Sequence, residues 1–168
     1  MKPIAGKTFF VTGATGFLGG HLVQHLSNNG ASVRALARRP DRDAYIRDLP
    51  NVEIVMADLN EARRLIDYTA GCDIVLHAAA VTGTLAESRR VNVTGTRNMA
   101  LAAVENDVQR FVHISTISVY GFKVDGDVTE STPPKASKDA YSITKLEGEN
   151  ALRAADDEYG LSYTIIRP

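Results

Sequence analysis

The segment YSITK carries two side chains that could do chemistry together. Tyr141 and Lys145 are four residues apart, so on a helix they share one face. A phenol has an ordinary pKa of about 10 and is a poor base at neutral pH, but an adjacent ammonium favours the phenolate. The pair could therefore exchange a proton with an alcohol. Taken alone, the same spacing is more often a surface tyrosine beside a solvated lysine.

A second pair of candidate side chains lies in the segment HISTISVYG. Ser115 and Thr116 end an apolar run that predicts a strand. Open α/β sheets bind their ligands outside the carboxyl ends of their strands, so a hydroxyl group at such an end can support a reacting oxygen. The two motifs together supply a proton donor, a cation and a hydroxyl group, which makes each of them more informative.

Three glycines in FFVTGATGFLGGHL indicate a phosphate-binding turn. Gly13 permits a tight turn after the strand, Gly16 lets backbone approach a pyrophosphate, and Gly19 lets the helix pack closely. Unpaired N–H groups and the helix dipole would favour the ligand's negative charge at that helix N-terminus. The GxxGxxG spacing differs from the commoner GxGxxG, and a tight strand-to-helix turn is the alternative explanation.

The elements that must position these residues alternate along the chain. Apolar runs predict six short buried strands: KTFFVTG, ASVRALA, NVEIVMA, CDIVLHAAA, RFVHIST and SYTIIRP. Between them lie helical stretches: FLGGHLVQHLSNNG, the weaker RDAYIRDL, NEARRLIDYTAG, RRVNVTGTRNMALAAVENDV and DAYSITKLEGENALRAADDEYG. Crossover helices make neighbouring strands parallel. The prediction is an α/β fold with a doubly wound parallel sheet.

The first helical stretch shows the pattern most clearly. Its apolar residues predicted to share one face are Leu18, Leu22, Val23 and Leu26. Gly30 can serve as its C-terminal cap, and Asn60 is the candidate N-cap of the NEARRLIDYTAG helix.

The residues after the second strand predict which nicotinamide dinucleotide would be preferred. A site selective for NAD usually places a carboxylate there to bind the adenosine ribose. Here Ala37 is followed by Arg38 and Arg39. Without the carboxylate a 2′-phosphate meets no repulsion, and a guanidinium can pair with it through two bonds. We therefore expect NADP(H), with NAD(H) as the alternative. Solvated loop charges are the other interpretation, which applies more to Arg39 than to Arg38.

Bulk properties restrict the classes of partner. The chain has 168 residues, enough for one domain with a buried core, and 19 basic against 20 acidic residues leave a net charge of −1. No global field attracts nucleic acid or anionic lipid. The single cysteine, Cys72, excludes an internal disulfide. No apolar run is long enough to span a bilayer. We expect a soluble, cytoplasmic protein.

Taken in order, the motifs TGATGFLG, ADL, HAAA, VNVTGT, STISVYG, YSITK and IIRP resemble the short-chain dehydrogenase/reductase superfamily in its extended branch, the epimerases, dehydratases and related reductases. The resemblance covers essentially the whole chain. It implies a Rossmann-type, three-layer α/β/α domain over residues 1–168. It also implies Tyr141 as general acid/base, Lys145 as the residue that holds the nicotinamide ribose and lowers the tyrosine pKa, and Thr116 as the supporting hydroxyl. Ser115 is the fallback.

The resemblance also implies a set of cofactor contacts. Asp58 and Leu59 would lie at the adenine edge, and the small residues of HAAA would let the cofactor cross the fourth strand. The full predicted cofactor-binding set is Gly13, Thr15, Gly16, Phe17, Leu18, Gly19, Arg38, Asp58, Leu59, Ala78, Ala79, Ala80, Asn92, Tyr141 and Lys145. Asn92 would position the lysine or a water, or would be a helix-interior residue bonded to nearby backbone.

The four histidines do not indicate a metal site. His77 and His113 lie in apolar, strand-like runs without clustered ligands, which predicts core or near-core positions. His21 and His25 are four apart on the first helix but have no third ligand nearby, so we expect packing or surface roles.

The expected activity is NAD(P)-dependent hydride transfer to or from an alcohol or carbonyl carbon, in a sugar nucleotide or another small carbonyl compound. The resemblance implies a homodimer formed through the two long helices. Extended members usually continue past RP into a substrate domain, so we expect the chain to be a fragment or truncated form. A cofactor-sensing module without chemistry is the alternative function.

Overall fold

The computed structural model describes residues 4–39, 44–121 and 126–168. Its sheet has six parallel strands: β1 Thr8–Thr12, β2 Ser32–Ala37, β3 Val52–Met56, β4 Ile74–His77, β5 Arg110–Ile114 and β6 Tyr163–Ile166. Their spatial order is β3-β2-β1-β4-β5-β6. This order is that of a Rossmann fold, with the reversal of direction between β1 and β4. The predicted doubly wound sheet is confirmed.

The helical elements lie between the strands as the alternation predicted. They are α1 Phe17–Asn28, α2 Ala44–Arg47, α3 Ala62–Thr69, α4 Leu85–Ser88, a π-helical segment Arg89–Gly95, α5 Thr96–Glu105, a 3₁₀ turn Ile117–Tyr120 and α6 Ala140–Tyr159. α6 begins where the Asp139 carboxylate accepts from the backbone N–H of Ser142, and it ends at Gly160, whose φ is +71°. None of the described helices is both long and apolar enough to span a membrane.

Two apolar clusters make the domain three-layered. One contains Val23 and Leu26 of α1 with Ile46 of α2. The other contains Leu65 of α3 and Leu152 of α6, together with alanines of α5. The sheet lies between the clusters, and β1 is buried almost throughout because helices cover both of its faces.

Two local predictions were wrong. Leu18 is partly exposed instead of facing the core with Val23 and Leu26, because glycines at positions 19 and 20 form the buried side of the first turn of α1. The N-cap of α3 is Glu61, not Asn60, whose side chain instead donates to Asp58. A carboxylate acceptor two residues away competes for the short asparagine side chain.

The predicted helix RRVNVTGTRNMALAAVENDV contains a π-helical segment before α5. α6 packs against this segment at Gly148, where an added Cβ would lie 2.5 Å from the carbonyl oxygen of Asn92. Single-turn π segments occur frequently at functional sites. The close contact brings α6, which carries Tyr141 and Lys145, against the segment that carries Asn92.

Gly148→Ala tests this contact. Alanine is the better helix former by about 1 kcal/mol, but here its methyl group meets a backbone carbonyl that cannot move alone. We expect the free energy of unfolding to fall by about 1–3 kcal/mol, measured by urea denaturation. Asp157→Ala, at an exposed position of the same helix, is the control and should change stability by less than about 0.5 kcal/mol. A stabilised Gly148→Ala variant would contradict the packing.

Candidate functional site

The turn between β1 and α1 is packed so tightly that only glycine fits at two positions. Gly13 has a φ of +66°, and an added Cβ there would lie 2.7 Å from the backbone nitrogen of Ala79. A Cβ at Gly19 would lie 2.0 Å from the Gly13 carbonyl oxygen. The Gly13 carbonyl instead accepts from the N–H of Gly16, at 2.9 Å. The start of α1 can therefore lie directly beside the chain that leaves β4.

Gly16 is the N-cap residue of α1 and provides no side-chain hydrogen bond to the first turn. Orphan N–H groups at such a helix start are suited to an anion. Phe17, the first residue of α1, is 88% exposed beside this turn.

Tyr45 of α2 is a contact that the sequence did not predict. Its hydroxyl donates to the carbonyl oxygen of Gly16 at 3.0 Å, and its ring lies where a Cβ on Gly20 would be. The weak helical signal of RDAYIRDL could locate α2, but not the turn against which it packs. Tyr45 thus supports the glycine turn from the side.

A cleft of about 450 Å³ opens at the carboxyl ends of β1, β2 and β4. Many of the predicted cofactor-binding residues line it: Gly13, Thr15, Gly16, Arg38, Asp58, Leu59, Ala78, Ala79 and Ala80. Other lining residues were not in the predicted set: Leu36, Arg39, Ala57, Val81 and Val91. Several of these adjoin predicted positions at strand ends, so strand-end position was the signal that could have found them.

The remaining predicted cofactor residues lie outside that lining. Gly19 packs under the turn, and Leu18 is partly exposed in α1. Asn92, Tyr141 and Lys145 lie on the π-helical segment and α6. The cleft and the YSITK residues are therefore adjacent regions of the site, not one pocket.

A second cavity, of about 350 Å³, adjoins the cleft beyond β2 and is lined by Arg38, Arg39, Met56, Ala57, Asp58, Glu61 and Arg64. Arg64 pairs with Glu61 at 3.2 Å. Burial acts to raise the pKa of Asp58, but hydrogen bonds from Asn60 and the nearby arginine charges outweigh it, so this pKa lies below its ordinary value. Three guanidinium groups and two carboxylates thus surround a small space at the end of β2.

Ser115 and Thr116 follow β5, and their side chains have different partners. The Ser115 hydroxyl is buried and donates to Oε1 of Glu149 at 2.6 Å. The Thr116 hydroxyl accepts from the N–H of Ser118, capping the 3₁₀ turn, and is close enough to Tyr141 to act on the tyrosine pKa. The hydroxyl group beside Tyr141 is therefore that of Thr116.

The electrostatics of Tyr141 differ from the expectation. Spacing predicted that Lys145 would lower its pKa. In the structure burial raises the pKa of Tyr141, and its interaction with the Thr116 hydroxyl only partly opposes this. The Lys145 ammonium donates instead to the carbonyl oxygen of Ile114, at 2.7 Å. Helical spacing placed both residues on α6, but the β5 carbonyl determines where the ammonium lies.

Lys145 is 1% exposed and lies between α6 and β5. Burial lowers its pKa to about 8, and the charge of Glu149 opposes that lowering. Its ammonium also lies 3.3 Å from Nε2 of His113. A lysine in this position can gain or lose a proton near neutral pH far more readily than a solvated one.

His77 and His113 lie in the core, as their apolar surroundings predicted, and their rings stack at 5.4 Å. Nδ1 and Nε2 of His77 contact the hydroxyls of Thr12 and Thr96, at 2.7 and 3.0 Å. Burial lowers the pKa of His77 to about 3 and lowers that of His113 further. Both imidazoles are neutral at physiological pH.

Asn92 joins three parts of the site. Its Oδ1 accepts from the N–H of Val81 at 2.9 Å, and its Nδ2 donates to the Val81 carbonyl and to the Thr144 hydroxyl, both at 3.0 Å. Thr144 precedes Lys145 on α6. The backbone partner of Asn92 is therefore eleven residues away, in the chain that follows β4, and not in its own helix.

Comparison with known proteins identifies the family and the fold. Residues 9–168 match the NAD dependent epimerase/dehydratase family. The chain belongs to that family. It is 36% identical to the 4-hydroxy-2-methyl-3-oxo-4-farnesyl-3,4-dihydroquinoline-1-oxide ketoreductase of Stigmatella aurantiaca over 95% of this chain and 48% of the relative. It is also 36% identical to the ceramide reductase of Caulobacter vibrioides, over 94% of this chain and 44% of the relative.

Solved members of the family have the same fold. DesIV, a dTDP-glucose 4,6-dehydratase from Streptomyces venezuelae solved with NAD and TYD bound, superimposes with a TM-score of 0.87 at 29% identity, over 95% of this chain and 55% of that one. The Bordetella bronchiseptica enzyme WbmH, in complex with NAD⁺, superimposes with a TM-score of 0.85 at 27% identity, over 96% of this chain and 55% of that one. The chain thus spans about half the length of the relatives it matches.

Gly13→Ala tests the packing of the turn. Gly13 and Gly71 both have positive φ, but a Cβ at Gly71 would have nothing within 4 Å, whereas one at Gly13 meets backbone. Both substitutions incur the left-handed strain of about 1–2 kcal/mol. The control variant is Gly71→Ala. We expect Gly13→Ala to lower the free energy of unfolding by about 1–3 kcal/mol more than Gly71→Ala does, as measured by urea denaturation. Equal losses in the two variants would show that the turn can relax.

Proposed function

We propose that the protein is an NADP(H)-dependent oxidoreductase or epimerase/dehydratase that acts on an alcohol or carbonyl carbon of a small molecule. The observation that carries the proposal is the position of Thr116 beside Tyr141, at the same sheet edge as the cleft. A sugar nucleotide or another small carbonyl compound is the proposed substrate class. Family relatives include a ketoreductase and a sugar-nucleotide dehydratase.

The cleft fits a dinucleotide in shape and chemistry. Gly13 and Gly16 leave backbone room for a diphosphate, and the start of α1 offers orphan N–H groups. Asp58 and Leu59 border the adenine end, and the alanines at 78–80 leave space across the end of β4. Thr15, Phe17 and Leu18 flank the diphosphate turn, and Gly19 supports it. Asn92 acts through Val81 and Thr144.

The chain's own residues then handle the proton. Tyr141 donates a proton to the carbonyl oxygen in reduction, or takes it from the alcohol in oxidation, while Thr116 holds that oxygen by a hydrogen bond. Lys145 contributes when its ammonium turns from Ile114 toward the cofactor ribose and the phenol, because a nearby positive charge favours phenolate. When bound, the nicotinamide supplies or accepts the hydride.

The preference for NADP(H) rests on the end of β2. Ala37 offers no carboxylate where the adenosine ribose would lie, and Arg38 lines both the cleft and the second cavity. Arg39 and Arg64 line the second cavity as well. A 2′-phosphate would complement these cations. The solved relatives named above contain NAD, so cofactor choice is where this chain is proposed to differ.

Arg38→Ala tests the cofactor preference. Loss of a phosphate-pairing guanidinium should weaken NADPH binding by about tenfold or more and leave NADH binding nearly unchanged. The dissociation constants come from calorimetric titration of both cofactors. Arg63→Ala, at an exposed position of α3 that lines neither cavity, is the control. An unaltered ratio of the two constants in Arg38→Ala would refute the assignment.

Tyr141→Phe tests the chemistry. The variant keeps the ring but loses the exchangeable proton, so turnover of the full-length protein should fall by at least about a hundredfold with cofactor binding retained. Turnover is followed by NADPH absorbance with sugar nucleotides, hydroxysteroids and small ketones. Tyr159→Phe, on the exposed end of the same helix, should leave it unchanged. Binding without turnover in the unsubstituted protein would instead favour the sensing module.

The remaining parts of the proposal concern the whole protein. A small-molecule substrate, a homodimer formed through α5 and α6, and a cytoplasmic location follow from the family resemblance and the composition. Nucleic acid and membranes are not proposed partners, because the net charge of −1 provides no general attraction for polyanions.

A further inference from the structure

The structure contains a buried carboxylate one helical turn beyond Lys145. Glu149 is on α6, is 0% exposed, and lies four residues after Lys145, on the same face of the helix. Neither the motif YSITK nor the predicted cofactor contacts assigned it a role. A carboxylate is removed from water only where charged or hydrogen-bonding groups compensate it.

Glu149 is compensated by groups from three elements. Its two oxygens accept from Nε and Nη2 of Arg167, at 2.8 and 2.7 Å, forming a two-pronged pair just after β6. Arg153 of α6 donates at 3.0 Å and the Ser115 hydroxyl at 2.6 Å. Burial acts to raise the pKa of Glu149, but the bonds from Arg167 and Ser115 outweigh it, so the pKa is lowered. Glu149 is ionised at neutral pH.

The same cluster holds the turn that carries Thr116. The N–H of Ser115 donates to the Ile166 carbonyl at 2.7 Å, and that of Ile117 donates to the Pro168 carbonyl at 2.9 Å. Arg167 lies between those two carbonyl residues and also donates to the Tyr120 hydroxyl at the end of the 3₁₀ turn. Glu149 therefore fixes the backbone on both sides of Thr116.

The charged and titratable groups facing Lys145 come from three elements. His113 on β5 contacts its ammonium, and His77 on β4 stacks on His113, but both imidazoles are neutral. Tyr141 lies one turn before it on α6 and has a raised pKa. Among the described residues, Glu149 is the group whose charge opposes the effect of burial on Lys145.

We propose that Glu149 is a positioning residue for both partners of Tyr141: it holds the Thr116 turn through Ser115 and Arg167, and its charge keeps the buried Lys145 protonated. This inference rests on the proposed function for its catalytic meaning. The electrostatic half can be measured without any substrate. The groups that border Glu149 itself are Arg153, Arg167 and Ser115, so its charge is held in place whether or not a cofactor is bound.

Glu149→Gln tests the proposal by removing the charge while retaining shape. The Lys145 pKa is measured by NMR titration of isotope-labelled lysine side chains, with the resonance assigned by its loss in Lys145→Arg. In the unsubstituted chain it should titrate at about 8. In Glu149→Gln we expect a fall of about one pH unit, because the opposing charge is lost. A merely structural role would loosen the site, admit water and move the pKa up toward the ordinary 10.5.

Glu147→Gln is the matched control. Glu147 is on the same helix but pairs with Arg89 at the surface, so its loss should leave the titration of Lys145 unchanged. Glu149→Gln leaves the half-buried Arg167 guanidinium without its carboxylate. If that variant does not fold, Glu149→Gln/Arg167→Gln removes both charges and is measured in its place. A lowered Lys145 pKa is again expected there, since the charge of Glu149 is what opposes the effect of burial on Lys145.

An unchanged or raised Lys145 pKa in the folded variant overturns the inference. The proposed function is judged separately, by calorimetric binding of NADPH to the unsubstituted chain. Lowering of the Lys145 pKa without NADPH binding would support the role of Glu149 in the site but refute the cofactor assignment. NADPH binding with an unchanged Lys145 titration would leave the function standing and remove Glu149 from it.

Discussion

The site depends on one steric constraint, the contact between the β1–α1 turn and the chain leaving β4. The backbone of Gly13 lies against Ala78 and Ala79 without room for a Cβ. Gly19 lets α1 begin directly above Gly13. A larger residue at either position would move the start of α1 away from the reversal in the sheet, where the two halves of the fold separate. The cleft exists because Gly13 and Gly19 have no side chains to fill this space.

A second requirement is that three buried polar side chains near Tyr141 have partners. Asn92, Lys145 and Glu149 are each almost fully buried, and each is hydrogen-bonded to an element other than its own. In a low-dielectric interior such bonds are costly to break, so they fix the relative positions of β5, β6, the π-helical segment and α6. The arrangement around Tyr141 is thus determined by polar contacts behind it.

Close packing and polar pairing meet where α6 crosses the π-helical segment. Gly148 permits α6 to approach the π-helical segment closely, so the Asn92 side chain can hydrogen-bond with Thr144, next to Lys145. Widening one turn of the helix presents the Asn92 side chain to both Val81 and Thr144. Asn92 therefore connects the loop at the cleft with the helix that carries Tyr141 and Lys145.

Much of the fold follows from local sequence patterns. Alternating apolar runs and helical stretches specified six parallel strands and their crossovers, and position at the end of the second strand pointed to Arg38. The family resemblance supplied Asp58 and Ala79, which also line the cleft. The strands, the glycine turn and the motifs are properties of short segments. Tertiary contacts decided the rest. The exposure of Leu18, the support of the turn by Tyr45, the direction of the Lys145 ammonium and the pairing of Glu149 with Arg167 were all decided by how separate segments pack together. The spacing of residues along one helix indicates which side chains share a face. Only the neighbours packed against that face determine the charge, the exposure and the partners of those side chains.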